Sequence, residues 1–432
     1  MKSLWHDTAN LPTFPALSGD TKTDVLIIGG GIAGLLTAHF LKENGVNCIV
    51  AEKNKICSGV TGNTTAKITY QHALIYHKLI KNYGMEKAKL YYEANRLALE
   101  KYREMSRTID CEFENKTNYV YSKNNFHKLE KELEAAHSIG VPMKHISRVE
   151  LPIDTVGAVR CENQGQFHPL KFISGFAGSL DIYEDTFVSQ VCGNVAITPR
   201  GKITAQKIIF ATHFPFIDRH GSYFMKMYQS RSYVIALEKA TNVDGMYIDE
   251  NDKGLSFRSY GTLLLLGGGA HRTGKKGGSY NELRTFARTH YSKAVEKYCW
   301  AAQDPITLDS APYIGHYSKK THSWYVATGF NKWGMTGAMV SAMLLSSMVQ
   351  EKKSGYEEAF TPHRSMMKPQ LFLNGGETVI DLITPTPKRC SHLGCALKYN
   401  KAEHSWDCPC HGSRFTQNGR VLDGPANKDA KI

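Results

Sequence analysis

Long apolar runs are missing from this 432-residue chain: none approaches the roughly 18 residues that a membrane-spanning helix needs, and mean hydropathy is −0.35. A transmembrane segment is therefore not expected. The first 20 residues, MKSLWHDTANLPTFPALSGD, lack the apolar core of a secretory signal, so a cytoplasmic location is expected. Internal repeats and low-complexity tracts are also lacking. No basic stretch of five or more residues occurs, although 53 Lys and Arg exceed 40 Asp and Glu to give a net charge of +13. The cations sit beside acids, as in Glu86-Lys87-Ala88-Lys89 and Glu130-Lys131-Glu132. That patterning describes a solvated surface that attracts acidic substrates or partners, with no specific nucleic-acid binding. Disorder is excluded in turn, because a composition 42% hydrophobic and 10% aromatic builds real cores.

Ten cysteines are present, unevenly spread. Cys48, Cys57, Cys111, Cys161, Cys192 and Cys299 are scattered, as reduced intracellular thiols are. Cys390, Cys395, Cys408 and Cys410 fall within 21 residues, a density that points to a metal site.

Residues 24–53 read as strand, turn, helix, strand. Asp24-Val25-Leu26-Ile27-Ile28 is a buried parallel-type strand, Leu35 to Asn44 has helical periodicity ending at Gly45, and Val46 to Val50 is a second strand. The turn between them carries Gly29-x-Gly31-x-x-Gly34, and Glu52 follows Gly34 by 18 residues at the end of the second strand. Each part has a task in binding a dinucleotide. Gly29 makes the tight turn, Gly31 lets backbone approach a pyrophosphate, and Gly34 lets helix and strand pack closely. The helix N-terminus, with Ile32 and Ala33, offers N–H groups and partial positive charge to phosphates, and Glu52 accepts from ribose hydroxyls. A glycine-rich turn of an unrelated α/β protein is the plainer alternative.

Further along, residues 74–106 read as helix and residues 230–270 alternate as antiparallel sheet. Residues 324–349 return to strand, glycine turn and helix. The expected fold class is α/β: a dinucleotide-binding domain in three segments (1–110, 151–215 and 306–352), interrupted by a substrate domain (111–150 and 216–305). A connector (353–386) and a cysteine- and histidine-rich module (387–432) follow.

The motifs resemble those of FAD-dependent oxidoreductases of the D-amino-acid oxidase and glycine oxidase group. Ser58-Gly59-Val60-Thr61-Gly62-Asn63-Thr64-Thr65-Ala66 is similar to that group's second flavin-contacting loop. Phe210-Ala211-Thr212 resembles its strand-end motif, with His213 where a glycine is usual. Val326-Ala327-Thr328-Gly329-Phe330 and Gly334-Met335-Thr336-Gly337 resemble its late motif beside the isoalloxazine ring. The resemblance implies FAD as cofactor, with Lys53 and Val188 as further contacts. It also implies a helix N-terminus at Gly334 aimed at the flavin, where it would stabilise negative charge on the reduced ring.

The tail resembles Rieske [2Fe–2S] proteins. Its boxes are Cys390-Ser391-His392-Leu393-Gly394-Cys395 and Cys408-Pro409-Cys410-His411-Gly412-Ser413, with fifteen residues between His392 and Cys408. The resemblance implies thiolate ligands Cys390 and Cys408, imidazole ligands His392 and His411, a disulfide between Cys395 and Cys410, and Gly424-Pro425-Ala426 as a covering loop. A Cys₂His₂ zinc site is the alternative, but its pattern pairs Cys with Cys and His with His. Ser413 matches a serine that hydrogen-bonds the cluster, whereas Phe415 stands where high-potential members carry a tyrosine.

By resemblance, the chain is expected to oxidise the C–N bond of an amine or amino-acid-like substrate. Electrons would pass from flavin to cluster and leave through an exposed imidazole edge to a one-electron acceptor protein or quinone-like acceptor. A dioxygen-using oxidase, a reductase fed through the cluster, and a redox sensor or nucleic-acid-binding protein are the other readings. Arg258, Arg231 and Arg272 are candidate clamps for a substrate carboxylate. Lys67 and His72 follow the second flavin loop and are expected near the ring, while His168 reads as a core or turn residue. No catalytic acid or base follows from the sequence.

Overall fold

Two large sheets divide the flavin-type part of the chain. The computed structural model describes residues 3–365 and 369–432; Met366 to Lys368, within the expected connector, lie outside them. The first sheet has eight strands, with the central order 313–318, 321–328, 201–210, 21–28, 48–51, 182–183. Strand Thr21–Ile28 lies parallel to both Gly201–Phe210 and Cys48–Ala51. Its inner end, Val25 to Ile28, is buried on both faces, as a parallel strand covered by helices must be. Helices Ile32–Glu43 and Gly334–Val349 pack against each other on this sheet, and both are almost wholly buried.

The second sheet has nine strands. Its long members are Met227–Glu238, Leu263–Arg272 and Val295–Thr307, joined antiparallel. Met246–Asp249 pairs parallel with Glu114–Ser122, so the sheet is mixed, not purely antiparallel as expected. One expected boundary also moves. Gly157–Gln166, read from sequence as part of the dinucleotide domain, pairs antiparallel with Glu114–Ser122 in this second sheet. Its Arg160, Glu162 and Asn163 reach solvent, which a strand in the doubly covered first sheet does not allow. Lys67–Ile68 joins the same sheet and carries the end of the second flavin loop into it.

The N-terminal segment, which carries no sequence signal, closes the back of that loop. Helix Leu4–Thr8 buries Leu4 and Trp5 completely, and Trp5 Nε1 donates to the Thr64 carbonyl at 2.7 Å. The connector contains helices Glu357–Phe360 and Pro369–Ile383. The tail is a four-stranded antiparallel sheet of three-residue strands, 398–400, 405–407, 414–416 and 421–423. Phe415 and the four tail cysteines share its small apolar core. A buried Arg414 that pairs with Asp407 and Asp423 adds to that core.

Candidate active site and metal centre

A cavity of about 1000 Å³ runs between the two sheets. At one end it is lined by Gly29, Gly31, Ile32, Ala33, Glu52 and Lys53, at the mouth of helix Ile32–Glu43. Thr61, Thr64 and Thr65 of the second loop, then Val188, Ala211 and Thr212, continue it towards Gly334 and Met335. Gly34, Gly62, Ala66, Gly329 and Thr336 do not line it; they stand behind it. Gly34 shows why: a Cβ there would lie 2.0 Å from the Gly29 carbonyl oxygen, so its task is helix–strand packing. Gly29, at φ +116°, would put a Cβ 2.5 Å from the Ala211 oxygen. Thr336 Oγ1 lies 2.9 Å from His72 Nε2 and 3.2 Å from the Thr69 carbonyl, tying the late motif to the second loop.

Glu52 accepts from Gly30 N–H at 2.7 Å and from Asn54 N–H at 2.9 Å. Burial pushes its carboxyl up, and these two hydrogen bonds oppose the shift. His213 takes φ +65°, so it keeps the left-handed backbone that a glycine adopts freely. Its Nε2 meets the Gln303 carbonyl at 2.6 Å.

None of the three candidate arginines lines the cavity. Arg258 is fully buried, and its Nη1 donates to the carbonyls of Thr65 (2.6 Å) and Ala66 (3.0 Å). These bonds bolt the second loop, and Arg258 Nη2 is buried without a partner. Arg231 forms a two-pronged ion pair with Glu403 of the tail. Arg272 donates to the Pro409 carbonyl at 3.0 Å and the Cys410 carbonyl at 3.2 Å. Both hold the tail module. Of the other three expectations, His72 is buried in a polar knot with Tyr91 and Thr69 and is not part of the cavity wall, and burial pushes it down to about 3. His168 caps helix Pro169–Ala177, its Nδ1 accepting from Lys171 N–H at 3.2 Å.

Lys67 does reach the cavity. Burial, reinforced by the charge of Arg258, pushes its ammonium down to about 7, and its Nζ lies 3.2 Å from Thr65 Oγ1. Sequence reading missed Asp304, also in the wall; burial pushes its carboxyl up, against the pull of His213 and Lys332. Nothing in the strand Val295–Thr307 marks Asp304 locally, since only the register with Met227–Glu238 turns it inward.

The tail supplies the remaining wall: Val421 to Asp429 line the same cavity. Two buried glutamines lock it in place. Gln229 Nε2 donates to the carbonyls of His411 (2.7 Å) and Gly424 (3.0 Å). Gln303 Nε2 donates to Gln229 Oε1 (2.8 Å) and the Gly412 carbonyl (2.9 Å), and Thr273 Oγ1 donates to Gln303 Oε1 (2.9 Å). Every amide donor of the pair is satisfied, so parting the surfaces would strand buried polar groups. The imidazoles of His392 and His411 stand edge to face, 5.0 Å apart. His392 Nε2 meets Asp218 Oδ2 at 2.9 Å, and His411 packs edge-on against Phe224.

Comparison with known proteins decides what this geometry belongs to. Residues 24–348 match the model of the FAD dependent oxidoreductase family, and residues 381–432 match that of the Rieske [2Fe-2S] domain. The chain belongs to the FAD dependent oxidoreductases. A Bacillus subtilis (strain 168) chain, YhfW, named for a Rieske 2Fe-2S iron-sulfur protein, is 34% identical across 100% of this chain and 97% of its own. The tail alone is 57% identical over 37 residues to the chloroplastic cytochrome b6-f iron-sulfur subunit of Arabidopsis thaliana, 9% of this chain and 16% of that one. Among solved structures, L-proline dehydrogenase from P. horikoshii superposes with a TM-score of 0.68 at 19% identity, covering 81% of this chain and 98% of that one. Glycine oxidase from Geobacillus kaustophilus gives 0.66 at 19%, covering 80% and 99%. At these identities the two structures speak for the fold.

The cofactors of this oxidoreductase are thus FAD and a [2Fe–2S] cluster, and the residues fit both. For FAD, the fingerprint, the second loop and the late motif border one continuous cavity, and a Cβ at Gly334 would meet nothing within 4 Å. For the cluster, the Nδ1 atoms of His392 and His411 are both buried without a partner. The contact between Cys390 and Cys408 lowers the first thiol to about 6 and raises the second, and burial pushes His411 down to about 3, the neutral state an iron ligand needs. The thiols of Cys395, Cys408 and Cys410 also lie within 4.8 Å of one another. A three-thiolate site on that trio would leave the two orphaned imidazole nitrogens unused, so the mixed Cys390, His392, Cys408, His411 set is the better donor set. Cys395 and Cys410 are free thiols here, close enough to be joined. Among the described residues, no helix is long and apolar enough to cross a membrane.

Proposed function

We propose that this oxidoreductase oxidises the C–N bond of a small amine or amino-acid-like substrate, and that the electrons leave singly through the Rieske module to a one-electron acceptor. When bound, FAD supplies two-electron acceptance at carbon and the [2Fe–2S] cluster supplies one-electron relay. The observation that carries this reading is the shared wall: Val421 to Asp429 of the module border the cavity that the dinucleotide fingerprint opens. The imidazoles support it too, and correct an expectation. They form no exposed edge, since His411 is 2% exposed and the His392 side chain 5%. They face Asp218 and Phe224 of the flavin-type part, which supports entry on the imidazole side and exit from another face.

Within the cavity, Lys67 is the group whose proton affinity suits transfer near neutral pH. Its neutral amine takes a proton from the substrate's ammonium and frees the nitrogen lone pair for C–H cleavage. Asp304 offers the charge or hydrogen bond that holds that nitrogen. No arginine lines the cavity among the described residues. A substrate carboxylate would therefore meet Lys332 as a point charge, without the planar fork of an arginine. Arg258, bonded to Thr65 and Ala66, fixes the loop from which Lys67 projects.

Anaerobic mixing of the holoenzyme with a panel of amines and amino acids tests the substrate class. At least one amine is expected to bleach the flavin with saturating concentration dependence. Bleaching by 2-hydroxy acids alone would contradict the C–N assignment.

A further inference from the structure

The helix Pro369–Ile383 is inside out. Phe372, Val379, Ile380 and Ile383 are 66%, 58%, 58% and 73% exposed, and their spacing puts them on one face. Two of its polar residues point inward instead. Asn374 and Asp381, seven apart on the opposite side, are 5% and 2% exposed. Asn374 Oδ1 accepts from Arg272 Nη1 at 2.9 Å, and the Cys410 thiol donates to Asp381 Oδ2 at 3.9 Å. The buried polar pair thus fixes the rotation of the helix and holds the apolar row outward.

This face runs on into the cluster loop. Arg389 Nη1 donates to the carbonyls of both Leu382 (2.8 Å) and Gly394 (3.0 Å), and Ala396 N–H donates to the Asp381 carbonyl at 2.9 Å. Leu382 and Leu393 are each 41% exposed, and Leu393 sits between ligand His392 and Gly394. The segment 384–401 that surrounds the loop carries Lys388, Arg389, Lys398 and Lys401 and no acid, within a chain of net charge +13. An apolar row flanked by a segment with four cations and no acid matches the interface of an anionic bilayer: apolar side chains enter the acyl boundary and the cations meet lipid phosphates.

We propose that this face seats the protein on an anionic lipid surface, so that the cluster loop meets a lipid-dissolved, quinone-like acceptor. The identity of the acceptor rests on the electron-exit reading above; the seating itself does not. The overall stoichiometry closes: amine oxidation to imine releases two electrons and two protons, and reduction of a quinone to a quinol consumes both.

The test is co-sedimentation of the FAD- and cluster-loaded protein with phosphatidylglycerol/phosphatidylcholine vesicles and with pure phosphatidylcholine vesicles, with and without a long-chain quinone. Wild-type protein is expected to bind the anionic vesicles, and binding to fall with added salt. The double variant Ile380→Glu/Ile383→Glu should bind at least tenfold more weakly, with flavin and cluster absorbance unchanged and ferricyanide turnover retained. If the wild type does not partition, or the variant partitions equally, the proposal is overturned. A stable dimer that the same variant dissociates, without vesicle binding, would assign the face to a second copy and also overturn it. Vesicle binding without quinone turnover would leave the seating intact and sink the exit reading.

Discussion

Asp218 is the point where the flavin-type part touches a cluster ligand directly, and replacing it with asparagine gives a directional test. Its carboxylate accepts from His392 Nε2 at 2.9 Å, while the unpartnered Nδ1 of the same ring faces the ligand position. Its charge also reaches His411. A carboxylate behind a ligand imidazole strengthens the nitrogen donor and adds negative charge, and both favour the oxidised centre. The asparagine side chain would keep an acceptor for the ring N–H but remove the charge. A charge-assisted hydrogen bond is worth about 1 kcal/mol more than a neutral one, and about 1.4 kcal/mol corresponds to 59 mV for one electron. The Asp218 side chain is 35% exposed, so solvent screening trims the effect. Asp218→Asn is therefore expected to raise the potential by about 20–40 mV, with the flavin potential unmoved. Redox titration followed by electron paramagnetic resonance reads it. A lowered potential, or none of this shift, would refute the placement of His392 between Asp218 and the cluster.

Lys67→Met should slow flavin reduction by about 10²–10⁴ and abolish its rise with pH. In the native protein the rate should climb through about pH 7, because protonated Lys67 predominates below its folded value and only the neutral amine takes a proton. A flat native profile would remove Lys67 from the proton path. Glu52→Arg should reduce FAD occupancy of the purified protein, since Glu52 both lines the cavity and accepts from Gly30 N–H; full retention would sink that role. His411→Ala should lose or convert the cluster while FAD stays bound, as read by iron content and released flavin. Phe415→Tyr should raise the cluster potential in film voltammetry, because Phe415 is fully buried in one core with the four tail cysteines and a hydroxyl there would donate to a thiolate.

The dinucleotide fingerprint was legible because its chemistry is local. Strand, turn and helix are written within residues 24–53, and Gly34 answers to Gly29 only five residues away, although Gly29 itself abuts Ala211 far along the chain. The cluster boxes were legible for the same reason. The arginines were not. Which way Arg231, Arg258 and Arg272 point depends on the register of Met227–Glu238, Ser256–Tyr260 and Leu263–Arg272. It depends equally on a tail more than 100 residues away that provides Glu403 and the Pro409 carbonyl. Strand register hid Asp304 as well, and the seating of the module hid the burial of both ligand imidazoles. His213 shows a subtler limit. It stands where a glycine is usual, yet the backbone keeps φ +65° and the extra side chain takes a hydrogen bond to Gln303.

The central claim is that electrons cross from the cavity to the module within one molecule. Anaerobic stopped-flow of the fully loaded protein with a reducing amine, followed at flavin and cluster wavelengths, tests it most directly. Flavin bleaching should come first, and cluster reduction should follow at a first-order rate independent of protein concentration. A cluster that stays oxidised while the flavin is reduced, or one reduced only at a rate that scales with protein concentration, would contradict the account.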